Sequence, residues 1–171
     1  TMLSADNGTM VFNSALYSKL SYDPVKDLRP VTLMGKFPMI LVAGPGSDAK
    51  DAKEFIAKAK ARPGSVSYGS AGAGSPHHLA MELLKVSAGL HMVHIPYRGA
   101  APALTDLAGG QVQMYVADLG SSMGMIKGGN VRALAVTTRA PLKSLPGVPP
   151  VASAVPGFDL TSWNGIFGPA G

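Results

Sequence analysis

Between residues 39 and 137, short apolar runs alternate with amphipathic ones, and the connections between them are brief. "DAKEFIAKAKAR" (51–62) places Ala52, Phe55, Ile56 and Ala59 at i, i+3, i+4 and i+7, a single helical stripe. Asp51 with Glu54 three residues on has the pattern of a capping box, and Pro63-Gly64 ends the helix. "SVSY" (65–68) reads as a strand, Pro76 to about Ala88 as a helix stopped by Gly89, and "MVHIP" (92–96) as a strand. A helix over 101–109, a strand over 112–117, a helix over 121–129 and a strand over 131–137 follow. This β-α-β-α order predicts an α/β fold with a parallel, helix-flanked sheet.

The flanks differ in character. The start is rich in loops, and "RPVTLMGKFPMILVAGP" (29–45) reads as two strand-like runs broken at Gly35-Lys36. From Arg139 a proline-rich connector, with one helical turn near Val151–Ala154, leads to a last strand in "LTSWNGIFGPAG". The segments outside the central βα unit therefore read as parts of something else.

Composition narrows the function classes. With 46% apolar and 15% charged residues, the 171-residue chain can bury a sizeable core and is too apolar for a disordered tail. There is no cysteine, which excludes disulfides and thiolate metal sites. The longest apolar run, "MILVAG" (39–44), is far short of the roughly 18 residues of a transmembrane helix. The net charge of +5 comes from lysines scattered over helix faces, such as Lys50, Lys53, Lys58 and Lys60. Only 6% of residues are aromatic, so the basic stripe with interleaved aromatics that nucleic acid requires is missing.

In a parallel sheet, ligands bind at the carboxyl ends of the strands. Three such loops stand out. The first runs from Gly69 to Ser75 ahead of Pro76, with Ser75 as N-cap and Pro76 at the first helical position. Its glycines free the backbone to turn N–H groups toward one point, and the helix start adds partial positive charge, which suits a carboxylate or phosphate oxygen. A tight turn holding nothing would use the same residues. The second loop carries Tyr97, placed to line a cleft or to pack, and Arg98, placed to pair an anion or to be solvated. In the third, Asp118 either accepts a ligand hydrogen bond or caps the next helix, with capping the simpler reading.

Familiar catalytic patterns fail. Gly69 and Gly74 have P-loop spacing, but Ser75 stands where the lysine belongs, and Gly72-x-Gly74 lacks the third glycine of a dinucleotide fingerprint. His77 and His78 are adjacent and His91 and His94 three apart, and no carboxylate completes a ligand set at metal spacing. An enzyme is disfavoured, and no cofactor is expected.

Taken in order, "YDPVKDLRPVTL" (22–33), "YGSAGAGSPHHLAMELL" (68–84), "VHIPYRGAAPALTDLAGGQV" (93–112), "VRALAVTT" (131–138), "LPGVPPVA" and "SWNGIFGPAG" closely resemble the Bug-type solute receptors of tripartite tricarboxylate transporters. The resemblance implies a type II periplasmic-binding-protein fold, mostly the second lobe with fragments of the first. Residues 1–30 would supply a first-lobe fragment and crossover, 31–138 the second-lobe domain, and 139–171 a return connector and first-lobe strand. It also implies a non-enzymatic, monomeric periplasmic receptor, exported by an upstream signal peptide. Such a receptor captures a small carboxylate and hands it to membrane permease subunits, without itself entering the membrane.

The resemblance further implies that Gly72, Ala73, Gly74 and Ser75 hold the ligand carboxylate, that the loop at Asp118 tunes selectivity, and that Thr9 faces the cleft. Relatives extend upstream and past the equivalent of Gly171. Ala73 stands where they usually have a bulkier polar residue, and Met10 where many have histidine. Two other readings remain: a phosphate- or nucleotide-binding enzyme domain using the 69–76 loop, and a ligand sensor reusing the receptor fold.

Overall fold

The computed structural model describes all 171 residues, which divide into two compact units, Thr1–Phe37 with Thr161–Gly171, and Pro38–Leu160. The first contains β1 (Leu3–Asp6), a π-helical turn (Gly8–Phe12) that runs into α1 (Asn13–Leu16), the leading part of β2 (Leu28–Ala43), and β7 (Thr161–Pro169). β7 lies between β1 and β2, and pairs with β1 antiparallel, Leu3 opposite Phe167. The start is thus more regular than its sequence suggests, because a four-residue strand and a short helix leave no periodicity to read.

β2 is one 16-residue strand, not two. It passes through Gly35-Lys36 without a turn, and the boundary between the units falls two residues later, at Phe37/Pro38. The glycine signals a break only when it takes up its left-handed freedom, and Gly35 does not.

The larger unit is built on the last residues of β2, with β3 (Ser67–Ser70), β4 (Val93–Pro96), β5 (Met114–Asp118) and β6 (Arg132–Val136). The strand order is β6-β2-β5-β3-β4. β3 is parallel to both β4 and β5, as the alternation predicts, but β2 runs antiparallel to β5 and β6. The sheet is therefore mixed. A strand buried on both faces is a continuous apolar run that reads the same in either direction, so its sense is not recorded in the pattern.

Residues 39–43 show why this strand anchors the unit. Met39, Leu41 and Ala43 point into one core with Phe55, Tyr68, Met81 and Leu84, while Ile40 and Val42 point into a second core with Leu104, Leu107, Tyr115 and Val136. All five are essentially inaccessible, as the twofold side-chain period of a central strand requires. The first core is covered by α2 (Ala52–Ala61) and α3 (Pro76–Ala88), the second by α4 (Ala100–Ala108) and α5 (Leu119–Lys127).

The caps form as the sequence predicts. Asp51 accepts from the Glu54 N–H at 2.8 Å, and Glu54 in return accepts from the Lys50 N–H at 2.9 Å. Ser75 caps α3, Pro76 opens it, and Gly89 closes it in the left-handed conformation (φ 63°). A 3-10 turn at Val151–Ser153 sits in the connector where one helical turn is expected.

Candidate functional site

Because β5, β3 and β4 are parallel neighbours, their carboxyl ends lie side by side, at Asp118, Ser70 and Pro96. The three loops singled out from the sequence therefore meet. The Tyr97 N–H donates to Ser70 O at 3.0 Å and the Gly99 N–H to Ala71 O at 3.2 Å, fastening the β4–α4 loop to the β3–α3 turn. From the other side, His77 Nε2 lies 2.9 Å from Asp118 Oδ2 and joins α3 to the end of β5.

The β3–α3 turn, residues 71–75, is largely held by its own neighbours. Gly72 and Gly74 take φ of 134° and 80°, conformations that favour glycine. The Gly72 N–H donates to Ser70 Oγ at 3.1 Å, the Gly74 N–H to His78 Nδ1 at 3.2 Å, and the Ser75 N–H to Gly72 O at 3.2 Å. Ser75 Oγ donates to Gly72 O at 2.7 Å and accepts from the His78 N–H at 3.3 Å. The N–H groups of Ala71, Ala73 and His77 have no acceptor within the chain. Of the four turn residues named by the resemblance, Ala73 alone thus presents a free amide. The first turn of α3 adds the His77 amide and the positive end of a 13-residue helix.

Asp118 does not cap α5. It holds the N-cap position, but its carboxylate turns to His77, while its carbonyl accepts from Ser121 Oγ at 3.1 Å and Ser122 Oγ at 2.8 Å. A partner 41 residues away in sequence overrides the local cap. Tyr97 is half-buried and donates to Asp106 Oδ2 at 2.8 Å; burial, helped by Asp106, pushes its phenol up to about 12. Arg98 is exposed and forms no ion pair. Thr9 belongs to the other unit, where its N–H donates to Asp6 Oδ1 at 2.9 Å and its carbonyl accepts from the Tyr22 hydroxyl at 2.6 Å.

Behind the turn stands a group of residues that sequence reasoning examined only as metal ligands or not at all. The parallel register sets His94 beside Tyr68, and their rings stack with centroids 4.9 Å apart. His94 also stacks on His78 at 4.0 Å, and its Nε2 lies 2.7 Å from Ser70 Oγ. Glu82, one turn beyond His78 on α3, accepts from the Tyr68 hydroxyl and from Lys85 Nζ at 2.6 Å.

Burial pushes Tyr68 up, with the Glu82 carboxylate adding to the effect. Burial, with His78 alongside, lowers His94 to about 4; burial also lowers His78 against the pull of Glu82. Burial alone would raise Glu82, but its bonds from Lys85 and Tyr68 outweigh this and hold it below the usual range. The His78/Glu82 spacing of four was a readable signal for one side of this group. The strand register that brings in His94 was not. No set of three or more histidine or acidic groups could hold a metal ion.

On the other face, the His77 ring stacks on Tyr115 at 5.3 Å, and His77 Nδ1 and the Tyr115 hydroxyl, both buried, find no partner within the chain. A concavity lined by Asp48, Lys58, Arg62 and Gln113 lies at the amino ends of β3 and β5, away from the three loops. No helix is long and apolar enough to cross a membrane.

A sheet covered on both faces, with loops gathered at the carboxyl ends of its parallel strands, is shared with the periplasmic binding protein BugD, which matches at a TM-score of 0.92 and 30% identity, over 99% of this chain and 57% of that one. A Rhodopseudomonas palustris protein with adipate matches at a TM-score of 0.94 and 33% identity, over 99% of this chain and 57% of that one. MatC from the same organism, with bound malate, matches at 0.91 and 29%, over 99% of this chain and 58% of that one. Among curated proteins, BugT of Bordetella pertussis is 32% identical over 171 residues, 99% of this chain and 52% of BugT.

The chain belongs to the tripartite tricarboxylate transporter family receptors, whose pattern matches residues 1–171. It spans about half the length of the curated relatives it matches.

Proposed function

We propose that the protein is a periplasmic solute receptor that captures a small carboxylate and delivers it to the membrane subunits of a tripartite tricarboxylate transporter. The ligand is a di- or tricarboxylic acid, an acidic amino acid or an aromatic acid. The observation that carries this reading is the match, over nearly the whole chain, to an R. palustris protein with adipate. On this reading the unit Pro38–Leu160 is the second lobe and the other unit contributes to the first.

The carboxylate rests at the β3–α3 turn, on the N–H groups of Ala73 and His77, with Gly72, Gly74 and Ser75 shaping the turn and Tyr97 and Asp118 lining its flanks. This division of labour needs no nucleophile, metal or cofactor. Each hydrogen bond to a charged group contributes about 1.5–3 kcal/mol. Two of them are well short of the roughly 8 kcal/mol of a micromolar complex, so contacts beyond this turn complete the affinity.

A thermal-shift panel of di-, tri- and aromatic carboxylates on the complete receptor chain tests the reading. A cognate acid at about one hundred times its Kd stabilises the folded state by roughly 2.7 kcal/mol and raises Tm. A flat response across the panel contradicts it.

A further inference from the structure

We propose that His78 is a positioning residue for the β3–α3 turn, that it holds the Gly74 amide only while its ring is neutral, and that acid therefore releases the captured carboxylate. The proposal rests on the receptor reading above.

The geometry begins at Gly74, whose left-handed backbone (φ 80°) points its N–H away from any helical or strand partner and onto His78 Nδ1 at 3.2 Å. A nitrogen that accepts a hydrogen bond carries no proton, so the proton of the neutral ring sits on Nε2, which faces Glu82 Oε1 at 3.8 Å. Protonation makes both nitrogens donors. Two N–H groups then face each other at Gly74, and the hold on the turn is lost.

The second glycine is tied to the same stack of rings. Gly72 donates to Ser70 Oγ, which lies 2.7 Å from His94 Nε2, and His94 stacks on His78 with centroids 4.0 Å apart and planes 20° apart. Two imidazoles in that contact resist a shared charge. The groups facing His78 are Tyr68 from β3, Glu82 and Lys85 from α3, and His94 from β4. Glu82 favours the proton; Lys85 and burial oppose it, and burial is the largest influence.

The neutral pair is therefore the resting state above the ordinary imidazole value of 6.5, and acidification below it acts on the turn. By linkage, a carboxylate that needs the intact turn lowers the proton affinity of His78 in return.

Calorimetry with adipate and with malate, at about pH 7.5 and at a pH below the His78 ring titration as located by NMR, separates the outcomes on the complete receptor chain. For the wild type, affinity falls toward acid by up to about tenfold for each pH unit below the His78 titration, beyond the change due to ligand ionisation. In His78→Asn, Oδ1 accepts from Gly74 at every pH, so affinity at about pH 7.5 stays within roughly threefold and the extra fall disappears. His78→Ala binds weakly at both. A His78→Asn protein with the full wild-type pH response overturns the proposal while leaving the receptor reading intact. Failure of the wider acid panel to bind at neutral pH strikes the receptor reading instead. NMR on the wild type decides the proposal without any variant: the Gly74 amide resonance should move with the His78 ring titration, and an amide unmoved through it contradicts the account.

Discussion

His77 Nε2 stands 2.9 Å from Asp118 Oδ2, so the first turn of α3 is bonded to the carboxyl end of β5 across 41 residues of sequence. The bond holds together two of the three loops that form the candidate site. The His77 ring is also buried against Tyr115.

Replacing His77 with Ala removes the bond and the ring contact together, and should cost about 1–3 kcal/mol. Asp118→Asn keeps an oxygen acceptor for the ring and should cost under about 1 kcal/mol. Urea unfolding of the two variants checks the order; equal, negligible losses would mean the bond does not hold the loops.

Thr137 gathers three strands of chain in the larger unit. Its Oγ1 lies 2.7 Å from Leu160 O and 3.1 Å from Met39 O, and accepts from the Met39 N–H at 3.2 Å, while the residue is only 1% exposed. Thr137→Val preserves shape, and Met39 O keeps the Thr137 N–H at 2.9 Å, but the Met39 N–H and Leu160 O lose the hydroxyl, at a cost of about 1–3 kcal/mol. A denaturation midpoint unchanged in Thr137→Val would refute this.

Gly44 follows the last residue of β2, where a β-carbon would collide with the Leu107 carbonyl oxygen of α4. Because the obstacle is backbone, relief requires the helix to shift, and Gly44→Ala should lose about 1–3 kcal/mol. Gly120→Ala, where nothing stands within 4 Å, is the control and should be close to neutral in the same melting experiment.

Stability should depend on pH through His94. Its folded value lies near 4, below the ordinary 6.5, so the unfolded chain takes up the proton first. The contribution is complete above about 6.5 and is lost as pH falls from there toward about 4. His94→Gln should flatten that limb of the curve in urea titrations run across the range, and an equally steep limb in the variant would contradict the assignment.

The parts of this fold that were legible in the sequence are those with a local cause. The capping pair Asp51/Glu54, the Ser75-Pro76 start and the Gly89 stop of α3 are each decided within a few residues, and each forms as read. The sense of β2 was not legible, because Met39–Ala43 is buried on both faces and its pattern has no direction. The site divides the same way. The three loops could be found from strand-end position, but the amide inventory of the turn could not. Gly72 and Gly74 spend their N–H groups on Ser70 and His78, two side chains that also contact His94, which the strand register brings in from β4.

The proposed capture of small carboxylates by their charge at the β3–α3 turn is open to direct measurement. Calorimetric titration of the complete receptor chain with a panel of small di- and tricarboxylates, adipate and malate among them, each beside its methyl ester, tests it most directly. The account predicts a Kd of about micromolar or better for at least one free acid and no measurable heat for its ester. Equal binding of acid and ester, or no binding by any acid of the panel, would contradict it.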